Sequence, residues 1–256
     1  GFDMNGQRKV SSYNVYNKPQ ISLNHFWTID EKSSLSTALY VSIGNGGGYS
    51  GQSYNSSDRA QWYGASNGAP NNTYRAEDGT YDYGQIYELN KKSETGSMLA
   101  MSNSVNKHLW YGALSTYNTK IGNNIDFYGG LDLRYYKGIH TNEIVDLYGG
   151  NFFIDNTSRP SKTSTDWKTD KLGVGDVVYR DYDGFVMSEG LFGQAEYNKD
   201  KLSAFVSLSV SNTSYWRYDR FYYDAADARS ETISFLGYSA KGGANYNLND
   251  NHNVFA

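Results

Sequence analysis

The chain has 256 residues, with 23 basic and 27 acidic side chains and a formal net charge of -4, so it lacks the basic footprint of a nucleic-acid-binding protein. It has no cysteine and no apolar run long enough for a membrane helix, which excludes disulfide staples, thiolate metal sites and helical membrane spans. Its 25 tyrosines, 27 glycines and only 3 prolines favour strands and turns over helices. A mean hydropathy of -0.68 is ordinary for a soluble protein, but strands that hide alternate apolar residues among polar ones produce it equally well.

The chain opens GFDMNGQRKV, without an initiator methionine or a signal-peptide pattern, and closes NDNHNVFA, a turn followed by the start of another strand. An excised or incomplete segment of a longer protein is expected from these ends. Between them, alternation predicts seven strands and a stub. The strands fall near residues 19–28, 34–44, 108–119, 125–136, 188–198, 201–213 and 235–247, and the stub begins at 252. Short, turn-rich connections are centred on DEKS (30–33), GNN (122–124), NKDK (198–201) and NDN (249–251). The connections between those hairpins are long, roughly 45–107, 137–187 and 214–234. Short turns at one end and long loops at the other are the pattern of an up-and-down transmembrane barrel.

The clearest strand reads IDFYGGLDLRYY (125–136), with Ile125, Phe127, Leu131, Leu133 and Tyr135 on one parity and Asp126, Asp132 and Arg134 on the other. Matching apolar sets occur at Leu35/Leu39/Val41/Ile43, Leu191/Gly193/Ala195/Tyr197, Leu202/Ala204/Val206/Leu208/Val210 and Leu236/Tyr238/Ala240/Ala244/Tyr246. Asp126, Asp132, Arg134, Glu196 and Lys241 fall opposite those sets. Segregation of this kind is expected if the apolar face meets lipid, where a mid-membrane charge costs about 2–4 kcal/mol. Soluble sheets also segregate charge. The aromatics Trp27, Tyr117, Tyr197 and Tyr246 beside the short turns suit a water–lipid boundary. His25 shares its parity with Ile21, Leu23 and Trp27 and fits neither face cleanly.

Local motifs give little chemistry. GNGGGYSG (44–51) lacks the Gly-Lys-Ser/Thr ending of a phosphate loop and reads as the flexible start of a loop. RDYDG (180–184) offers Asp181 and Asp183 but lacks the further ligands of an EF-hand; it reads as a loop turn, with weak calcium binding the lesser alternative. His25, His108, His140 and His252 have no metal-ligand spacing, and no nucleophile–base signature is evident. No metal, cofactor or enzymatic activity is therefore expected. Asn55, Asn71, Asn156 and Asn212 begin Asn-x-Ser/Thr sequences, which this composition produces by chance. YWRYDRFYYD (215–224) is the most suggestive segment: Tyr215, Trp216, Tyr218, Tyr222 and Tyr223 could stack on sugar rings, while Arg217, Arg220 and Asp219 could bond hydroxyls or carboxylates. The same residues also suit an aromatic girdle continuing strand 201–213, and the girdle is favoured.

Four stretches carry a family resemblance: YNKPQISLNHFW (16–27), LSTYNTKIGNNIDFYGGLDLRYYKGIHTNEIVDLYGG (114–150), VGDVVYRDYDGFVMSEGLFGQAEY (174–197) and HNVFA (252–256). They resemble the barrel region of TonB-dependent outer-membrane receptors of Bacteroidetes-type bacteria. The resemblance implies a barrel of about 22 strands around an N-terminal plug, in the outer membrane of a Gram-negative cell. It also implies energy-coupled import through the TonB complex.

The expectation is thus all-β: residues 1–256 as a partial barrel domain of about seven strands plus a stub, with no plug, short periplasmic turns and long extracellular loops. Its partners would be outer-membrane lipid, the plug and remaining barrel of the parent chain, the TonB complex and an unidentified imported nutrient, with no nucleic acid. Asp126, Asp132, Arg134, Glu196 and Lys241 would face the lumen. The competing reading is a soluble or surface-attached glycan-binding β-sandwich, whose core would be the apolar parities.

Overall fold

The computed structural model describes residues 1–55, 58–59, 62–63 and 73–256. Asn71 and the centre of the first long connection lie outside the described residues. The chain forms β1 (Asn14–Asn17), β2 (Gln20–Thr28), β3 (Ser33–Ser53), α1 (Tyr83–Lys92), β4 (Leu99–Ile121), β5 (Ile125–Asp146), β6 (Val177–Lys199), β7 (Leu202–Asp219), β8 (Ile233–Asn249) and β9 (His252–Phe255). Every pairing is antiparallel. β1 and β2 both lie along β3, separated by Lys18 and Pro19, and β3 through β9 follow in sequence order. Pro19 has no N–H to give a ladder, and an edge strand is where such a break is tolerated.

The four short turns lie where alternation predicts them, and the sheet is a meander. The strands run further than predicted: β3 to β6 have 21 to 23 residues, whereas about 9–11 suffice to cross a membrane. GNGGGYSG is not the start of a flexible loop, because residues 44–51 lie inside β3 and pair with β4. RDYDG is not a turn either: Asp181 and Asp183 lie in β6, opposite Thr141 and Ile139. α1 and β1 were not anticipated.

Register puts all the predicted apolar sets on one face. Leu131 pairs with Leu191, Leu191 with Val210 and Val210 with Tyr238, and on the other side Leu39 pairs with Leu23 and Ala113. Asp126, Asp132, Arg134, Glu196 and Lys241 occupy the opposite face, as the direct pairing of Asp126 with Glu196 illustrates. Within the predicted strands Glu189 is an exception: it shares the apolar face, opposite Leu133 and Asn212, and nearer the long connections Asp183, Lys137 and Lys107 share that parity too.

The hairpins are staggered. Ser34, next to the first turn, pairs with Asn118, three residues short of the end of β4; Ile125 pairs with Tyr197, two short of the end of β6; Leu202 pairs with Tyr246, three short of the end of β8. A constant drift in one direction is what tilted strands around a barrel wall require. β1/β2 and β9 are the two open edges, so the sheet is not closed.

The core is not on the sheet's apolar face. Leu191 is 60% exposed, Leu208 57% and Leu236 73%, and among the described residues no second sheet covers them, as a sandwich would need. Buried side chains gather instead at the long-connection ends. Trp62, Tyr83, Ile86, Leu99, Met101 and Tyr148 form one cluster, and Ala100, Ile144, Phe153 and Val178 another. α1 is capped by Asp82, whose side chain accepts from the Gln85 N–H, and Lys91 and Lys92 complement the dipole at its C-terminus. Asn90 fastens it: the side-chain amide donates to the carbonyls of Leu99 (2.8 Å) and Leu147 (2.9 Å), while its oxygen accepts from the N–H groups of Met98 and Leu99.

Candidate functional site

The polar face is paved with aromatic rings laid across glycines. Tyr16 covers Gly46, His108 covers Gly44 and the Tyr40 hydroxyl covers Gly112, each so closely that a Cβ would collide with the ring or hydroxyl. The glycines therefore seat flat rings on a sheet face, a different use from the loop flexibility that their run suggests. Tyr16 bonds the His108 imidazole, which packs against Tyr136 with centroids 5.8 Å apart. Further along, His140 stacks on Tyr182 at 4.8 Å and bonds Asn106, and the Arg217 guanidinium lies 3.8 Å over the Tyr182 ring. Burial, together with the nearby Arg180 and Arg217 charges, holds the His140 pKa below its usual value, so the ring is the neutral form near pH 7.

A cavity of about 340 Å³ opens on this face between β2 and β5, lined by Lys18, Gln20, Tyr40, Ser42, Trp110, Leu114, Asp132 and Arg134. Lys18 and Arg134 lie over the Trp110 ring at 5.2 and 5.3 Å. Arg134 also reaches the Tyr40 hydroxyl at 3.3 Å and Asp132 at 3.4 Å.

The aromatic segment 215–223 divides between faces. Trp216 lies on the apolar face, stacked on Phe185 with centroids 5.2 Å apart and planes 3° from parallel, and beyond it stand Tyr135 and Tyr111. Tyr218 continues on the same face, opposite Asp183. Tyr215 lies on the polar face against Phe235. Tyr222 and Tyr223 line a cleft of about 630 Å³ with Arg217, Asp219 and Asp227. The segment is thus not one surface.

Arg220 is already engaged. It binds Asp181 at 2.6 Å and Asp183 at 3.0 Å, and Asp183 also holds Lys137 at 3.1 Å. Burial alone would raise the Asp183 pKa, but hydrogen bonds from Arg220 and Lys137 outweigh it and hold the carboxyl below its usual value. The two carboxylates in turn raise Arg220. Two long connections are pinned above this network: Lys162 donates to the carbonyls of Arg220 and Tyr223, and Thr163 donates to Asp224. Asp126, Glu196 and Lys241 lie nearer the short turns of the polar face, and of the five predicted charges only Asp132 and Arg134 share a cavity. Sequence reasoning missed Lys18, Tyr40, Ser42 and Trp110; parity with Arg134 across the register was the only signal, and it needs the pairing to be read. No group of three or more acidic or histidine side chains able to hold a metal occurs among the described residues.

No protein-family model and no curated protein matches the chain. Solved structures do. The chain aligns over 96% of its length with the unliganded ferric citrate transporter FecA, at 9% identity and a TM-score of 0.54, and covers 27% of that chain. It aligns over 96% with the open form of the ferric-catecholate import receptor Fiu from E. coli K12, at 10% identity and a TM-score of 0.45, covering 35% of it. The chain therefore spans about a quarter to a third of the length of these proteins. At this identity the FecA likeness speaks to fold alone: an antiparallel sheet resembling part of a larger barrel-type structure.

Proposed function

We propose that this chain is part of the wall of an outer-membrane receptor that imports a nutrient through TonB-coupled transport. The observation that carries the reading is the continuous apolar face from Leu23 to Tyr238, exposed or half-buried and without a covering sheet among the described residues, on a sheet whose strands are staggered like barrel strands. On this reading the face meets outer-membrane lipid. Tyr111, Tyr135, Trp216 and Phe185 mark the outer boundary, and Trp27, Tyr117, Tyr197 and Tyr246 the inner one. The short turns are periplasmic and the packed long connections extracellular.

The polar face then lines the lumen, with Asp126, Asp132, Arg134, Glu196 and Lys241 turned toward water or a plug. Glu189 is consistent with this. It is eight residues beyond Tyr197, roughly 27 Å along a strand, and a tilt of about 40° reduces this to about 20 Å of height in a band about 25 Å tall. A carboxylate in the outer half of the band costs less than a basic side chain at the midplane. Trp216 and Tyr218 belong to the girdle and its outer edge, Arg220 to a loop-holding ion network, and Tyr215, Tyr222 and Tyr223 to surfaces open to the lumen or exterior. The reading assigns the chain no catalytic step. Its working partners are the rest of the barrel, a plug and the TonB complex.

The test is physiological. Growth that depends on the receptor carrying this chain should require both the receptor in the outer-membrane fraction and an intact TonB complex. Equal uptake in cells lacking that complex would contradict the proposal.

A further inference from the structure

The cavity between β2 and β5 is rich in donors and poor in acceptors. Ser42 is 4% exposed and lines the cavity, and its hydroxyl has no partner among the described residues. The Trp110 indole N–H is likewise buried and unpartnered. Leaving such groups unbonded is costly, and the two stand at paired positions, Ser42 opposite Trp110. Tyr40 receives the Arg134 Nε–H and keeps its own O–H free to donate. Lys18 sits in the two-residue gap between β1 and β2, outside the ladder, where its ammonium folds over Trp110; it has no ion-pair partner among the described residues. Asp132 offsets one of the two cations, leaving one net positive charge. Tyr40, Trp110 and Arg134 come from paired strands, so their spacing is fixed before anything binds.

An acceptor-rich anion compensates Lys18 and takes the donors of Arg134 and Tyr40; a sugar or an apolar ligand leaves Lys18 uncompensated. We infer that Lys18, Tyr40, Ser42, Trp110 and Arg134 form a subsite for an oxyanion, a carboxylate or phosphate group, on the polar wall of the chain. This rests on the lumen assignment proposed above. The anion has two sources, an imported molecule or an acidic side chain of the same receptor lying outside residues 1–256, and both present the same chemistry.

The experiment uses the whole receptor purified in detergent. Succinate and inorganic phosphate are titrated calorimetrically against the wild type and the Lys18→Met, Arg134→Gln and Lys18→Arg variants. A free-anion site gives saturable binding, weakened roughly tenfold or more by Lys18→Met or Arg134→Gln and retained in Lys18→Arg. A site filled by the receptor's own carboxylate gives no titration, but carbodiimide joins Lys18 to that carboxylate, and peptide mapping names the residue. Either result supports the subsite and identifies its source. Neither substitution-sensitive binding nor a cross-link from Lys18 to a carboxylate beyond this segment overturns it. A Ser207→Cys variant keeps the two levels apart. If a soluble maleimide labels it while both arms fail, the subsite falls alone; if it stays unlabelled, the lumen reading falls with it.

Discussion

Leu131 and Leu191 stand directly opposite each other across β5 and β6, in a row that continues to Val210 and Tyr238, and among the described residues no second sheet packs over it. Apolar burial drives folding in water, yet here the side chains that alternation picks out stay exposed or half-buried while the buried clusters form in the connections. A lipid solvent for that row removes the contradiction. Leu131→Arg or Val206→Arg should therefore cost about 2–4 kcal/mol of assembly and lower the receptor's level in the outer membrane, whereas Ser207→Arg, on the other face, should be tolerated far better. Immunoblots of outer-membrane fractions check this, and equal losses at all three sites would reverse the orientation.

Trp216 stacks flat on Phe185 on the apolar face. Trp216→Ala should cost about 1 kcal/mol of stability through the lost aromatic pair, and neither it nor Tyr218→Ala should change uptake affinity. Thermal melting and concentration-dependent uptake measure the two effects separately. A loss of affinity without a loss of stability would make this segment a ligand surface.

How much was legible in the sequence follows from what each strand face touches. On the proposed reading, near the short turns one face meets lipid and the other the lumen, so residues 125–136 alternate strictly and their register can be guessed. Beyond the aromatic row that contrast fades. The stretch LAMSNSVNK at the start of β4 carries buried apolar and buried polar residues side by side, including Met101 and Ser102, and reads as loop. Gly44 to Gly48 look like punctuation because glycine usually marks a turn, but here their missing side chains make room for Tyr16 and His108. Asp181 and Asp183 resemble a turn until Arg220, far along the chain, is seen between them. The oxyanion cavity was invisible for the same reason: its residues come from β2 to β5 and the gap before β2.

Asn90 joins α1 to the start of β4 and to the turn after β5 through both ends of one amide. Asn90→Ala strands those backbone groups and should destabilise the helical connection by about 2–4 kcal/mol, leaving the strands near the short turns intact. Limited proteolysis reports it: early cleavage within residues 54–98 is expected, with the remaining sheet resistant. Uniform degradation would show that the connection and the sheet fold as one unit.

The Asp183 carboxyl is held below its ordinary 3.8 by Arg220 and Lys137 against the opposing effect of burial. A folded pKa lower than the unfolded one means that this stabilisation is complete above that ordinary value. It is lost as pH falls through the lowered one. Asp183→Asn should lower the melting temperature at neutral pH and shrink its drop on acidification. A variant that keeps the full acid-dependent drop would place the sensitive group elsewhere.

The central claim is which face of the sheet meets lipid, and the absence of cysteine from residues 1–256 makes single-cysteine labelling the most direct measurement. Cysteines placed singly at Leu131, Val206, Ser207 and Lys241 in the membrane-embedded receptor are exposed to a soluble maleimide. The account predicts rapid labelling at 207 and 241 and protection at 131 and 206; labelling of the Leu131 and Val206 sites at equal or greater rates would contradict it.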